Sequence, residues 1–192
     1  MNADIMLLSN RLIYKDRLEC GSEEVARRCL KLSGREFLNK LHVGVDMKLC
    51  VRKKCWLENV VNERYGFLLP FLTLGLTCDS ISCKAVFIDT DALPALDSRV
   101  GDLVQNKTEA ELVRQLTETL LRSGVKEAQI GIISLYKQQV KLLSHLLDGK
   151  KGIEILTADK SQGRDKDCII VSLVRSNEAG NVSWKSGFHI CY

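Results

Sequence analysis

Apolar and polar positions fall in blocks along this chain, and the blocks predict its elements. Residues 2–13 place Ile5, Leu8 and Leu12 on one face of a helix. Gly-Ser-Glu-Glu from Gly21 opens a second helix, with Ser22 as cap, acids at the positive end, and Val25, Ala26, Cys29 and Leu30 facing inward. Residues 85–89 read as a short buried strand. Thr108 and Glu111 form a capping box, each satisfying a free backbone donor of the other's turn. The helix they open turns Leu112, Val113, Leu116 and Leu120 inward and stops at Gly124. Residues 130–135 are a strand. Residues 136–147 are a helix with Val140, Leu143 and Leu147 on one stripe, ending at Gly149. Strands follow at 153–156 and 168–174. Strand–helix–strand alternation predicts an α/β fold, a mostly parallel sheet flanked by helices with right-handed crossovers.

Between the last two strands lies a polar turn holding Gln162, Gly163, Arg164 and Asp165. An amide, a bare backbone, a cation and an acid can together touch the base, ribose and phosphate of one nucleotide. A polar loop between buried strands is where α/β proteins build such sites. The same residues could equally be an ordinary solvated turn.

Composition narrows the picture. A chain of 192 residues with 45% hydrophobic residues and two prolines is globular and can bury a core. The net charge of +4 permits contact with a polyanion without requiring it. The opening residues lack a basic, cleavable leader pattern. The apolar run at 65–77 is shorter than the roughly 20 residues needed to span a bilayer. Eight cysteines, with no secretory leader, read as thiols in a reducing compartment. Cys50 with Cys55 and Cys78 with Cys83 share a spacing that could serve zinc, but paired zinc ligands more often lie closer. The expectation is no metal site.

The run at 159–166, Asp-Lys-Ser-Gln-Gly-Arg-Asp-Lys, resembles motif V of superfamily-1 helicases, and Ile-Val-Ser-Leu-Val-Arg-Ser-Asn at 170–177 continues the likeness. Ile-Gly-Ile-Ile-Ser-Leu-Tyr-Lys-Gln-Gln-Val at 130–140 resembles motif IV. The first ten residues resemble the segment after the group's Gln-Tyr-Arg-Met signature. Residues 14–22, ending Leu-Glu-Cys-Gly-Ser, are more similar to the replicative helicase/nuclease branch than to its RNA-acting cousins. The likeness covers roughly 1–32 and 85–183.

That resemblance implies a RecA-like (P-loop NTPase-type) second motor lobe, incomplete here. The domain it implies is 1–183, with an atypical insert at 33–84 and a tail at 184–192 outside the family pattern. Gln162 and Gly163 would meet nucleotide at the lobe interface, and Asp165 would take the place of the acid that bonds ribose. Tyr136, Gln139, Thr157 and Arg175 would face the nucleic-acid strand: a ring can stack on a base, and a hydroxyl, amide or guanidinium can hold phosphate. For Tyr136 a half-buried helix-start position, for Gln139 a solvent-facing one, and for Arg175 a surface ion pair stay open. Lys166 and Asp167 read as a solvated pair.

The resemblance further implies that the complete enzyme uses ATP and magnesium, pairs with a first motor lobe, and acts on single-stranded DNA in replication and repair. It implies a nuclear location, with mitochondria as a second family location, and an iron–sulfur cluster outside this chain. The chain has no Gly-x-x-x-x-Gly-Lys-Ser/Thr phosphate loop and departs from the family before motif VI, so no complete catalytic set is expected and this chain alone should be inactive. An RNA helicase of the nonsense-decay type, or a non-catalytic nucleic-acid-binding fragment, are the alternatives.

Overall fold

A computed structural model describes residues 2–28, 30, 85–89, 95–176 and 187–191, with the backbone alone for 85–89 and 187–191. The expected insert at 33–84, with its apolar run and both cysteine pairs, lies outside the described residues.

The five-stranded sheet has the order β1-β7-β6-β4-β5. Its strands are β1 (Ala85–Asp89), β4 (Ile130–Ser134), β5 (Glu154–Thr157), β6 (Cys168–Ser172) and β7 (Gly187–Cys191). Strands β6, β4 and β5 run parallel, with Ile132 opposite both Ile170 and Ile155. Strand β7 is antiparallel to both β6 and β1. A hairpin of β2 (Ser98–Val100) and β3 (Leu103–Gln105) stands apart. The parallel half agrees with the α/β expectation. The tail does not lie outside the sheet: most of it is β7, whose backbone bonds shield the β6 edge that would otherwise be open.

Among the described residues four α-helices accompany the strands: α1 (Ala3–Ser9), α2 (Glu23–Ala26), α3 (Lys107–Arg122) and α4 (Lys137–Leu146). The first is shorter than the apolar spacing suggested. It passes into a π-turn over Asn10–Tyr14, and there Leu12 is 74% exposed rather than inward. Ser22 does cap α2, its Oγ accepting from the Val25 N–H at 3.2 Å, but the helix lasts a single turn.

Helix α3 begins two residues earlier than the Thr108 cap implied. The cap is Asn106, in extended backbone, whose Oδ1 accepts from the Glu109 N–H at 2.9 Å. Glu111 turns to Arg114 instead, which bridges it to Glu118 one turn on. The end of α3 is as read. Gly124 takes φ +95°, the Val125 N–H reaches Leu120 O, and the Gly124 N–H reaches Leu121 O, which closes the last turn by the left-handed route open to glycine.

The core sits between α3, α4 and one face of β4 and β6. Leu112, Val113, Leu116, Leu120, Ile130, Ile132, Leu143, Leu147, Cys168 and Ile170 form one buried cluster, with Leu30 against it. Because this cluster draws its fully buried members from 110–170, limited proteolysis should leave a fragment close to 107–176 longest. Mass spectrometry of a time course would read the cut sites; early cuts inside α3 or α4 would count against this placement of the core.

Candidate nucleotide and nucleic-acid edge

Parallel pairing decides where the chemistry gathers. Because β4, β5 and β6 point the same way, their C-terminal ends share one edge of the sheet. From that edge leave Tyr136 after β4, the polar loop after Thr157 at the end of β5, and the segment 173–176 after β6. Ligands of open α/β sheets bind outside such carboxyl ends.

The loop from β5 must reach β6 on the far side of β4. It does so over the sheet face opposite α3 and α4, where the alternation of β4 and β6 turns Gly131 and Ile169 outward from the core. Gly131 makes room for it: a Cβ there would lie 3.0 Å from Ile169 Cδ1 and 3.1 Å from Lys166 Cγ. Lys166 crosses the gap, its Nζ 2.9 Å from Glu154 Oε1 and donating to Ala128 O at 2.9 Å. This holds the half-buried Glu154 carboxyl below its usual range, through the hydrogen bond from Lys166 first. Asp167 accepts from Gln129 Nε2 at 2.8 Å. Lys166 and Asp167 are therefore two separate tethers of the loop, not a solvated pair. Between its tethers the loop makes a compact turn, with Ser161 N donating to Thr157 O and Arg164 N to Ser161 O.

The expected nucleotide residues ride on this loop. Gln162, Gly163 and Asp165 are exposed, and Gly163 has φ +76° with nothing within 4 Å of its Cβ position. The turn thus offers an amide and bare backbone to solvent. Asp165 sits on the returning limb beside the Lys166 tether.

The nucleic-acid set divides. Tyr136 is half-buried at the start of α4, its N–H donating to Ser134 Oγ at 3.3 Å. Thr157 is buried at the end of β5, where its hydroxyl lowers the Asp159 pKa. Arg175 Nε lies 2.9 Å from Asp97 Oδ2, with a fifth of its side chain exposed. The ion-pair reading of Arg175 is thus realised, partly buried rather than on the surface.

Gln139 is a correction. It is fully buried, and neither strand contact nor solvent is open to it. Its Oε1 accepts from the Asn106 N–H at 2.9 Å, and its Nε2 donates to Asn106 O and to Ser172 Oγ, both at 3.1 Å. The α4 face that carries Leu143 carries it inward too.

Gln139 leads to a buried polar cluster that the sequence reading missed. Glu109 is 1% exposed; its Oε1 accepts from Ser172 Oγ at 2.7 Å and its Oε2 from the Val174 N–H at 2.9 Å. Asn106 Nδ2 donates to Ala95 O at 2.6 Å and to Val174 O at 3.1 Å. Burial pushes the Glu109 carboxyl up to about 7, against the opposing pull of Ser172 and the Val174 and Leu173 backbone. The available signal was Asn106-x-x-Glu109, a capping-box spacing. The box is not closed in the usual way, because Gln139 takes the Asn106 N–H and Glu109 reaches across to β6.

The cluster surrounds a strained turn. Val174 has φ +72°, and the Arg175 N–H bonds Leu173 O at 2.8 Å. A γ-turn with positive φ is rare, and at a β-branched residue such geometry costs on the order of 1–3 kcal/mol.

A family profile described as AAA domain matches residues 1–188. The chain belongs to the AAA domain family. Its sheet and flanking helices are those of a RecA-like α/β lobe. It is 36% identical over 177 residues to the DNA replication ATP-dependent helicase/nuclease of Schizosaccharomyces pombe, covering 92% of this chain and 11% of that protein. It is 36% identical over 183 residues to the Homo sapiens protein of the same name, covering 95% and 15%. It is 38% identical over 174 residues to the Arabidopsis thaliana one, covering 91% and 10%. The chain thus spans well under a fifth of the length of these relatives. Among the described residues, no helix is long and apolar enough to cross a membrane.

Proposed function

We propose that this chain serves as the second motor lobe of an ATP-dependent DNA helicase/nuclease acting in replication and repair. The observation that carries the reading is the shared edge of β4, β5 and β6. It gathers Tyr136, the Thr157 loop and Arg175 on one side of the sheet of an AAA domain whose relatives carry that name. The DNA reading is preferred to an RNA-acting one on those names.

In this reading ATP lies between two lobes, and this lobe supplies one wall. Gln162 offers its amide, Gly163 its open backbone, and Asp165 a carboxylate for ribose hydroxyls. ATP hydrolysis supplies the free energy for movement; magnesium ligands and the phosphate loop belong to the other lobe. Tyr136 and Arg175 contact single-stranded DNA by stacking and charge, while Thr157 shapes the edge from within. The location is the nucleus, and the family's iron–sulfur cluster is held elsewhere.

A chimera tests the loop assignment. Residues 1–188 would replace their counterpart in the Schizosaccharomyces pombe relative, and Gln162→Ala would be made there. Loss of one good polar contact to nucleotide raises KM for ATP about tenfold while single-stranded-DNA affinity stays the same. Unchanged KM and kcat would remove Gln162 from the nucleotide site.

A further inference from the structure

We propose that Glu109 is a positioning residue for Arg175, holding the strained turn at Val174 that sets where this guanidinium stands at the nucleic-acid edge. The inference rests on the reading of Arg175 as a strand contact. A buried β-branched residue keeps φ +72° only where its surroundings over-determine it. Here they do. Glu109 Oε2 takes the Val174 N–H, Asn106 Nδ2 takes the Val174 carbonyl, and the Arg175 N–H closes the turn on Leu173 O. Val174 itself is fully buried, so the turn cannot swing out without opening the core.

The same cluster fixes the other half of the Arg175 setting. Asn106 Nδ2 also holds Ala95 O, and the Asp97 N–H donates to Ser176 O at 3.0 Å. These bonds bring the strand of chain carrying Asp97 alongside 174–176, and Asp97 Oδ2 then receives Arg175 Nε. Helix α3, through its first turn, thus sets both the turn that carries the cation and the acid that aims it. Ordinary backbone without the strained turn would carry Arg175 off on a different course from the end of β6. A core residue needed only for packing would have had no reason to be an acid; an apolar side chain would fill the space with no desolvation penalty.

The test uses the whole chain and a fluorescent single-stranded oligonucleotide, with affinity read across a salt titration. Arg175→Ala is expected to weaken binding several-fold and lower the salt slope by about one phosphate contact. Glu109→Met fills similar volume but accepts no hydrogen bond, and should reproduce both effects although Glu109 is itself buried. Glu109→Gln keeps an acceptor for Val174 and should bind as the parent does. If Arg175→Ala changes neither affinity nor slope, the strand-contact reading fails. If Arg175→Ala has its effect but folded Glu109→Met binds with the parent's affinity and slope, the positioning inference alone is overturned. Amide exchange in the unaltered chain decides the matter should Glu109→Met not fold. The Val174 amide is expected to be protected like the α3 core, and exchange as fast as at 158–163 would overturn the inference.

Discussion

Leu112→Ala is expected to lower the unfolding free energy by about 3 kcal/mol, within the 2–5 kcal/mol range for buried Leu→Ala changes. Leu112 is fully buried on α3, in the cluster that joins this helix to α4, β4 and β6. Truncation removes apolar surface from a packed interior and leaves a cavity lined by residues that cannot close in, because the sheet fixes them on one side. For a domain whose whole stability is on the order of 5–15 kcal/mol, that is a large share. Leu135→Ala is the comparison. Leu135 is 65% exposed just past β4, and its loss should fall within about 0.5 kcal/mol. Urea denaturation at a fixed pH reads both. A Leu112→Ala cost below about 1 kcal/mol would mean that α3 does not seal the core as described.

The second large effect is a pH dependence centred on Glu109. Its carboxyl stands at about 7 in the folded chain against 4.5 for the ordinary group, because burial disfavours the charge. Among the described residues no basic side chain bonds it; its partners are Ser172, Val174 and Leu173. A raised folded pKa favours the protonated state on folding. The stabilising contribution is therefore fully present below about pH 4.5 and is lost as pH rises through about 7. The difference between the two pKa values corresponds to about 3 kcal/mol over that window. Glu111, Glu154 and Asp159 have lowered pKa values and act in the opposite sense, losing their contribution as pH falls below the ordinary carboxylate range. Comparison with Glu109→Gln isolates the one group. The two stabilities should be close at pH 4.5, and the variant should gain on the parent by about 3 kcal/mol by pH 8. Parallel curves would show that Glu109 is not buried as the structure has it.

The elements around the core were legible because period and burial agree there. Leu112, Val113, Leu116 and Leu120 recur at helical spacing and all reach the interior, and the short apolar runs at 130–134 and 168–172 are the central parallel strands. Legibility failed where tertiary partners overrode local pattern. Leu12 has the spacing of an inward residue, but the π-turn rotates it to solvent. Thr108 and Glu111 have the spacing of a capping box, but Asn106 caps better because its side chain also meets two distant carbonyls. Gln139 looks like a surface amide in sequence. It is buried because three polar partners, from α3 and β6, wait for it inside.

At the edge itself, the sequence located the loop but not its tethers. The exposed Gln162, Gly163 and Asp165 were recognisable by their polarity between apolar runs. The salt bridge of Lys166 to Glu154 and the contact of Asp167 with Gln129 depend on the loop crossing β4, which no local spacing encodes. The tail at 184–192 departs from the family pattern in sequence. Its backbone at 187–191 pairs with both β6 and β1, a long-range register visible only in three dimensions.

The measurement closest to the central claim is single-stranded-DNA-stimulated ATP hydrolysis by the chimera carrying residues 1–188 in place of their counterpart in the Schizosaccharomyces pombe relative. A true second lobe closes the nucleotide site from the other side, so stimulated turnover should persist within about tenfold of the parent enzyme, a barrier change of about 1.4 kcal/mol. A chimera that folds and binds DNA, yet hydrolyses ATP no faster with DNA than without it, would contradict the assignment.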